Sequence, residues 1–259
     1  MFRMPACILA LVVAFAHVHP AQAKIALPRG PSVVMVACED EYDAKTTLPA
    51  FAEELKKSNP AFRISMLVGN KEKTDIPGIQ AIDGADLLIL YMRRTQLPEA
   101  QLTRFKSYFA SGRPIVAIRT SSHGFQNWLD FDHEVLGAKY DNHHGNKKEG
   151  SEISFVADHA KHAVLAGIEA KPFHSPMWIY KYPRMDESCT VLMRGTYDGK
   201  TEPVTWVRSR KTDTGPDAAK VAGNGRVFYT AMGVPEDFKN PAFVKLLTNG
   251  VQWCLEKAK

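Results

Sequence analysis

Short continuous apolar runs alternate with amphipathic stretches along the first half of the chain. Val33-Val34-Met35-Val36-Ala37 is apolar and rich in β-branched residues, the mark of a strand buried on both faces. Phe62 to Val68, Asp86 to Tyr91 and Pro114 to Ile118 repeat the pattern. Between them lie segments with helical spacing. Leu48 to Lys57 is one, with Pro49 tolerated in its first turn, and Pro98 to Ala110 is another, which Ser111-Gly112 ends. Strands alternating with helices predict βαβ units with right-handed crossovers, hence a mainly parallel sheet covered by helices on both faces. That is the doubly wound α/β class.

The texture changes after Glu152. Ile153 to Val156, Trp178 to Tyr180, Thr190 to Met193, Pro203 to Val207 and Arg226 to Tyr229 read as short strands joined by turns, some of which add antiparallel hairpins to the sheet edge. Lys211 to Asn224 reads as a hairpin loop. Ala242 to Glu256 is a terminal helix, with Phe243, Leu246, Leu247, Val251 and Leu255 at helical spacing.

The first 23 residues have a different character. Arg3 is their one charge, Ile8 to Ala16 is apolar, and Ala21-Gln22-Ala23 is a small-x-small ending. This predicts a secretory signal peptide over residues 1–23, cleaved before Lys24, and an α/β domain over residues 24–259 that is periplasmic or secreted. The apolar run is shorter than the roughly 20 residues a bilayer span needs, so no membrane span is expected. The formal net charge of +5 is spread along the chain, and its densest basic spots, Lys147-Lys148 and Arg208-Ser209-Arg210-Lys211, sit in loop-like sequence. Nucleic-acid binders cluster such residues on one face, so no nucleic-acid partner is expected. Oligomeric state has no signal in the sequence.

Cys38, Cys189 and Cys254 remain beyond the predicted leader. They allow at most one disulfide, and each sits among apolar neighbours, where cysteine is usually a small buried hydrophobe. No G-x-S-x-G, phosphate-binding loop or dinucleotide glycine motif is present.

In open α/β sheets, ligands bind beyond the carboxyl ends of the strands. Three predicted strand ends deliver polar residues there: Glu39, Asp40, Glu41 and Tyr42 after the first, Arg93 and Arg94 after the third, and Arg119 to His123 after the fourth. Acids, guanidiniums, hydroxyls and an imidazole meeting on one rim suit a polyol, a carboxylate or a metal. The plainer reading is that Glu39 or Glu41 pairs with an arginine to hold loops, and that Ser121 and Ser122 cap the next helix. His123 is the stronger candidate, because an imidazole beside carboxylates serves as general acid or base. Asp141-Asn142-His143-His144-Gly145 is a second concentration. From a loop, one of its histidines could join His123 and a carboxylate around a divalent metal, although no established metal spacing exists and no cofactor is certain. His159 and His162 read as helix-entry residues.

Three separated blocks then carry a resemblance. IPGIQAIDGADLLILYMRRTQLPEAQLTRFKSYFASGRPIVAIRTSSHGF from Ile76, FDHEVLGAKYDNHHG from Phe131 and GRVFYTAMGVPEDFKNPAFVKLLTNGVQWCL from Gly225 resemble the ThuA-like (trehalose utilisation) proteins, particularly exported versions, over roughly Val33 to Leu255. The resemblance implies the class I glutamine amidotransferase-like fold with a flavodoxin-like sheet. True glutaminases of that fold carry a cysteine nucleophile at the sharp turn after the central strand; here the turn is Ala117-Ile118-Arg119-Thr120-Ser121, so no thioester route exists. Some relatives have histidine at that turn, and relatives commonly read Leu-Gly-His-Pro where this chain has Met232-Gly233-Val234-Pro235. What the resemblance implies is sugar metabolism: disaccharide utilisation and processing of oxidised (3-keto) sugars.

The expectation is an exported protein acting on a small carbohydrate, a sugar or keto-sugar. Its chemistry would be proton transfer at a carbon next to a carbonyl, giving isomerisation, elimination or glycoside cleavage. His123 with Glu39 or Glu41 would form the acid/base pair and Arg119 would stabilise the developing oxyanion. Tyr42, Arg93, Arg94, Ser121, Ser122, His143 and His144 would bind substrate. The rivals are a non-catalytic carbohydrate-binding protein, with Trp128 or Trp178 flanking the site, and a metal-dependent hydrolase.

Overall fold

The computed structural model describes residues 30–145, 149–210 and 224–256. The predicted leader, the Lys147-Lys148 pair and all but the last residue of the predicted 211–224 loop lie outside the described residues.

The strands are β1 (Ser32–Cys38), β2 (Arg63–Val68), β3 (Leu87–Met92), β4 (Ile115–Ile118), β5 (Ala138–Lys139), β6 (Ser151–Phe155), β7 (Phe173–Ser175), β8 (Arg184–Met185), β9 (Cys189–Tyr197), β10 (Lys200–Ser209) and β11 (Arg226–Thr230). The α-helices are α1 (Ala44–Ser58), α2 (Glu99–Ala110) and α3 (Pro241–Leu255). Nine strands form one sheet in the order β2-β1-β3-β4-β11-β10-β9-β6-β7, and β5 pairs with β8 separately. β2, β1, β3, β4 and β11 are parallel, and the strands from β10 outward are antiparallel. The predicted class, a parallel sheet with antiparallel strands from the C-terminal half, is therefore the observed one.

β3 and β4 are buried at every position, and β1 at all but its first, which is why they read as continuous apolar runs instead of alternating ones. Helices α1 and α3 pack on each other, whereas α2 lies against the short 3-10 helix Ile79–Gly84. α3 sits close to the sheet because Gly250 has no side chain: a Cβ there would lie 2.9 Å from the Phe228 ring. No helix among the described residues is long and apolar enough to cross a membrane.

Two elements differ from the sequence pattern. α1 starts at Ala44, four residues before the predicted Leu48, so Pro49 is inside it. The extra turn is supported by the Asp43 carbonyl, which accepts from the backbone N–H groups of Thr46 and Thr47 at 3.0 Å and from the Thr47 hydroxyl at 3.1 Å. Trp178 to Tyr180 is not a strand of the sheet; Tyr180 makes only an isolated bridge with His143. Pro176 and Pro183 bracket that segment, and neither has an N–H to continue a ladder.

All three described cysteines are free thiols. Burial pushes the thiols of Cys38, Cys189 and Cys254 up, Cys189 to about 11, so none is a ready nucleophile.

Candidate functional site

The chain reverses direction across the sheet between β1 and β3: β2 lies to one side of β1, and β3, β4 and β11 lie to the other. The crevice at the carboxyl ends there is the topological switch point. Residues 39–43 leave β1 into it, 93–95 leave β3, 119–124 leave β4, and 231–237 leave β11.

Glu39 shapes the first loop. It is buried, its Oε2 accepts from the backbone N–H groups of Glu41 at 2.6 Å and Tyr42 at 2.7 Å, and its Oε1 accepts from Ala44 N–H at 2.6 Å. Three charge-assisted bonds tie this carboxylate to the start of α1. No hydrogen bond joins it to His123, so the expected Glu39–His123 pair is not assembled; the backbone occupies the acid.

Glu41 faces outward and is oriented from both sides. Arg93 Nε lies 2.7 Å from its Oε2, and the Tyr42 hydroxyl donates to its Oε1 at 3.2 Å. Arg93 also reaches Asp40 at 3.4 Å, and Asp40 meets Lys73 at 2.8 Å, which holds its carboxyl below the usual range. Pairs this exposed contribute little stability, but they fix orientation.

Arg119 occupies the sharp turn after β4, with φ 45° in the left-handed region. A non-glycine residue persists there only where its surroundings over-determine it, and here they do. Its guanidinium lies 4.1 Å from the Tyr42 ring centre and 5.0 Å from that of Tyr180. Nη1 donates to the Ala231 carbonyl at 2.8 Å and Nη2 to the Tyr42 hydroxyl at 3.0 Å. Its own carbonyl accepts from the hydroxyls of Tyr229 at 2.7 Å and Ser122 at 3.3 Å. At 1% exposure, Arg119 is sealed under this shell. The direct oxyanion contact expected of it is closed off, and it acts instead through Tyr42, which it positions.

Ser121 serves the frame. Its hydroxyl donates to the Leu90 carbonyl at 2.8 Å and accepts from Met92 N–H at 3.1 Å, stapling the loop to β3.

His123 is the group the rim presents. It is half-buried, its ring stacks on Tyr140 with centroids 4.2 Å apart, and Tyr180 meets it edge-on at 5.7 Å. Nδ1 lies 3.2 Å from Ser122 Oγ. The tautomer in which Nδ1–H donates to the Ser122 oxygen is the one that leaves a lone pair on Nε2. Among the described residues, Nε2 has no hydrogen-bond partner. Burial, then the nearby Arg93, Arg94, Arg119 and His143, lowers the imidazole to about 3, so it is neutral at physiological pH.

Arg94 is exposed and also left-handed, with φ 46°. Its N–H donates to the His123 carbonyl at 2.8 Å, and Thr95 N–H donates to that of Gly124 at 2.7 Å, so the two loops are joined backbone to backbone. Tyr140 was missed in the sequence, as were Tyr180, Tyr182 and Tyr229. Tyr140 is placed by its N–H, which donates to buried Asp132 at 2.8 Å. Its signal was proximity, one residue before the Asp141 to His144 concentration.

The adjacent histidines diverge. His143 stacks on Trp178 at 4.9 Å, whereas His144 Nε2 leaves the rim for Glu202 Oε1 at 2.9 Å on β10. The loop bends at His144, and the two side chains leave it toward different partners. Among the described residues no group of three or more His, Cys, Asp or Glu is placed to hold a metal ion, so the histidine-carboxylate metal site is not assembled. Trp178 flanks the rim through His143. Trp128 does not: it packs on Phe109, Phe125 and Phe131 and donates to Glu134 at 2.8 Å.

The turn after β11 is held by Asp237, whose Oδ2 accepts from Gly233 N–H at 2.7 Å and Val234 N–H at 3.1 Å, and whose Oδ1 accepts from Ser175 at 2.6 Å. Val234 is thus a buried part of the frame. A cleft of about 290 Å³ opens beside the rim, lined by Cys38, Glu39, Asp40, Glu41, Lys45 and Lys73 among others. A larger one, about 640 Å³, lies at the amino-terminal end of the parallel strands against Lys106, Trp128, Arg208 and Arg210. It contains none of the strand-end groups, and chemistry outweighs volume in choosing between them.

Two outcomes follow. Glu39→Ala leaves three backbone donors without their acceptor and should lower stability by roughly 2–4 kcal/mol in denaturant unfolding; an unchanged midpoint would remove its framework role. For His123, the folded-state value of about 3 lies below the ordinary 6.5. The unfolded chain therefore binds the proton first, and stability falls as pH drops from about 6.5 toward 3. NMR titration should find the folded imidazole neutral down to pH 5, and His123→Gln should flatten that part of the stability profile.

Comparison with known proteins completes the picture. A family model described as ThuA, trehalose utilisation, matches residues 33–254. No match is found among curated proteins. The fold is similar to that of a ThuA-like protein from Bacteroides uniformis (TM-score 0.65, 16% identity, covering 93% of this chain and 97% of that one). It is also similar to a ThuA-like protein from Parabacteroides merdae (TM-score 0.62, 14% identity, 88% and 93%). At these identities the structures establish the fold, and the sequence model, spanning β1 to α3, establishes the lineage: the chain belongs to the ThuA, or trehalose utilisation, family.

Proposed function

We propose that the chain acts on a sugar or keto-sugar at the His123 rim, by proton transfer at a carbon next to a carbonyl. The observation that carries this reading is His123 itself: neutral, half-buried, stacked on Tyr140, and with Nε2 unpartnered among the described residues at the switch point. The family's link to carbohydrate utilisation supports it.

In the proposed step Nε2 takes the proton from the carbon beside the carbonyl, and the electron pair of that bond moves to the carbonyl oxygen as an enediolate. Returning a proton at the neighbouring carbon gives isomerisation; expulsion of a glycosidic oxygen from the next carbon gives elimination. The guanidiniums that disfavour an imidazolium favour the enediolate, so their field stabilises the developing negative charge. Tyr140, whose hydroxyl burial keeps protonated, would donate to that oxygen. Glu41, oriented by Arg93 and Tyr42, would bind sugar hydroxyls, and the His143–Trp178 stack would receive the apolar face of a ring.

A second reading is carbohydrate binding without turnover. Arg119 at the position where glutaminases carry their nucleophile favours it, as does Trp178 beside the rim. We also propose export, supported by the charged, apolar and small-residue order of residues 1–23.

Incubation with native and 3-oxidised disaccharides in D2O, followed by NMR, tests the chemistry. Deuterium should enter at the carbon beside the carbonyl, and His123→Ala should slow this by at least about 100-fold. Binding without exchange would select the second reading, and full turnover by the variant would contradict the first. For export, mass spectrometry of protein produced in a secreting bacterial host should find the chain starting at Lys24 outside the cytoplasm; an intact Met1 terminus retained inside would oppose it.

A further inference from the structure

The cations of the rim are not equally compensated. Arg93 has Glu41 and Asp40 as partners. Arg119 is buried with no carboxylate partner among the described residues, and its Nε lacks a hydrogen bond. Glu39, the nearest buried acid on the first loop, is occupied by backbone N–H groups. The Arg94 guanidinium makes no ion pair or hydrogen bond among the described residues. Among the described residues, then, the buried Arg119 and the exposed Arg94 add positive field at the imidazole without a carboxylate partner, and an anion arriving at the rim is favoured by that field.

The backbone at Arg94 is built for this placement. Its φ of 46° is a conformation that glycine or asparagine adopts more cheaply, yet a long cation stands there. The bonds from Arg94 and Thr95 to the carbonyls of His123 and Gly124, with the Thr95–Phe125 bridge, hold the Arg94 backbone against that of His123, and the guanidinium's charge is felt at the imidazole.

We infer that the natural ligand carries a carboxylate, as a uronic or aldonic acid unit does, and that Arg94 receives it beside His123 and Tyr140. This rests on the reading of the rim as a sugar site. Guanidinium and carboxylate match as a two-point fork. The Tyr140 hydroxyl, protonated at neutral pH, adds a donor. In the tautomer that serves as base, His123 Nε2 carries a lone pair and repels a carboxylate, so the acid lies on the Arg94 side and the sugar ring over the imidazole. Seated there, the anion also offsets the positive field that weakens His123 as a base.

Calorimetric titration of the full mature chain with D-glucuronate, methyl glucoside and glucose 6-phosphate provides the test, repeated with Arg94→Gln and Arg94→Lys. Glucuronate should bind at least about tenfold tighter than the neutral glucoside, a ratio that should fall toward one in Arg94→Gln and return in part in Arg94→Lys. The His123 titration, read by NMR, should move up when glucuronate binds. Equal glucuronate affinity in wild type and Arg94→Gln, or a preference for the phosphate, would overturn the carboxylate assignment. If neutral keto-sugars turn over while acids do not bind, that assignment fails and the sugar site stands. If no sugar binds, both fall.

Discussion

A charged guanidinium sealed beneath the mouth of the central strand organises this molecule's upper edge. Arg119 cannot lose its charge and has no acid beside it among the described residues, so the fold must satisfy it with aromatic faces and lone pairs. Tyr42, Tyr180 and the Ala231 carbonyl supply these from three different segments. The left-handed turn that buries the side chain also exposes its carbonyl, which collects Ser122 and Tyr229. His123 is placed through Ser122 and Glu41 through Tyr42. One buried cation thus positions an imidazole on one side and a carboxylate on the other.

The electrostatics of the rim follow from the same feature. Burial and guanidiniums keep His123 neutral, so at physiological pH its ring carries a lone pair on one nitrogen and no net charge. An imidazole in such surroundings is a weak base while the site is empty, and gains strength when negative charge arrives. Binding and basicity are coupled: a ligand that brings or develops an anion raises the proton affinity of His123. That coupling would discriminate between ligands without further contacts.

The sheet was legible because its central strands are buried on both faces and its first crossover helices are amphipathic; periodicity reports burial directly. The start of α1 was not, because Ala44 to Thr47 owe their helical conformation to bonds with Asp43 and not to an apolar stripe. The rim was half legible. Strand-end chemistry put Glu41, Tyr42, Arg93, Arg94, Arg119 and His123 at one edge of the sheet, and they lie there because the position of a strand end is set by the strand. It misassigned the work of Glu39 and Arg119, since whether a carboxylate meets a backbone or a substrate depends on loop geometry at the scale of one hydrogen bond. Tyr140, Tyr180 and Tyr229 come from distant segments, and no local pattern links them to His123. From sequence, His143 and His144 were both candidates for binding substrate, and the loop leaves one at the rim and sends the other to Glu202.

Whether these strand ends make one working site is decided by where a ligand lies. Diffraction from crystals soaked with a 3-keto uronic acid should show density over His123, the carbon beside the carbonyl within reach of Nε2 and the carboxylate on Arg94, with Tyr42 and Arg119 unmoved. Density confined to the cleft between Lys106, Trp128 and Arg210 at the opposite end of the sheet, with the His123 rim empty, would contradict the account.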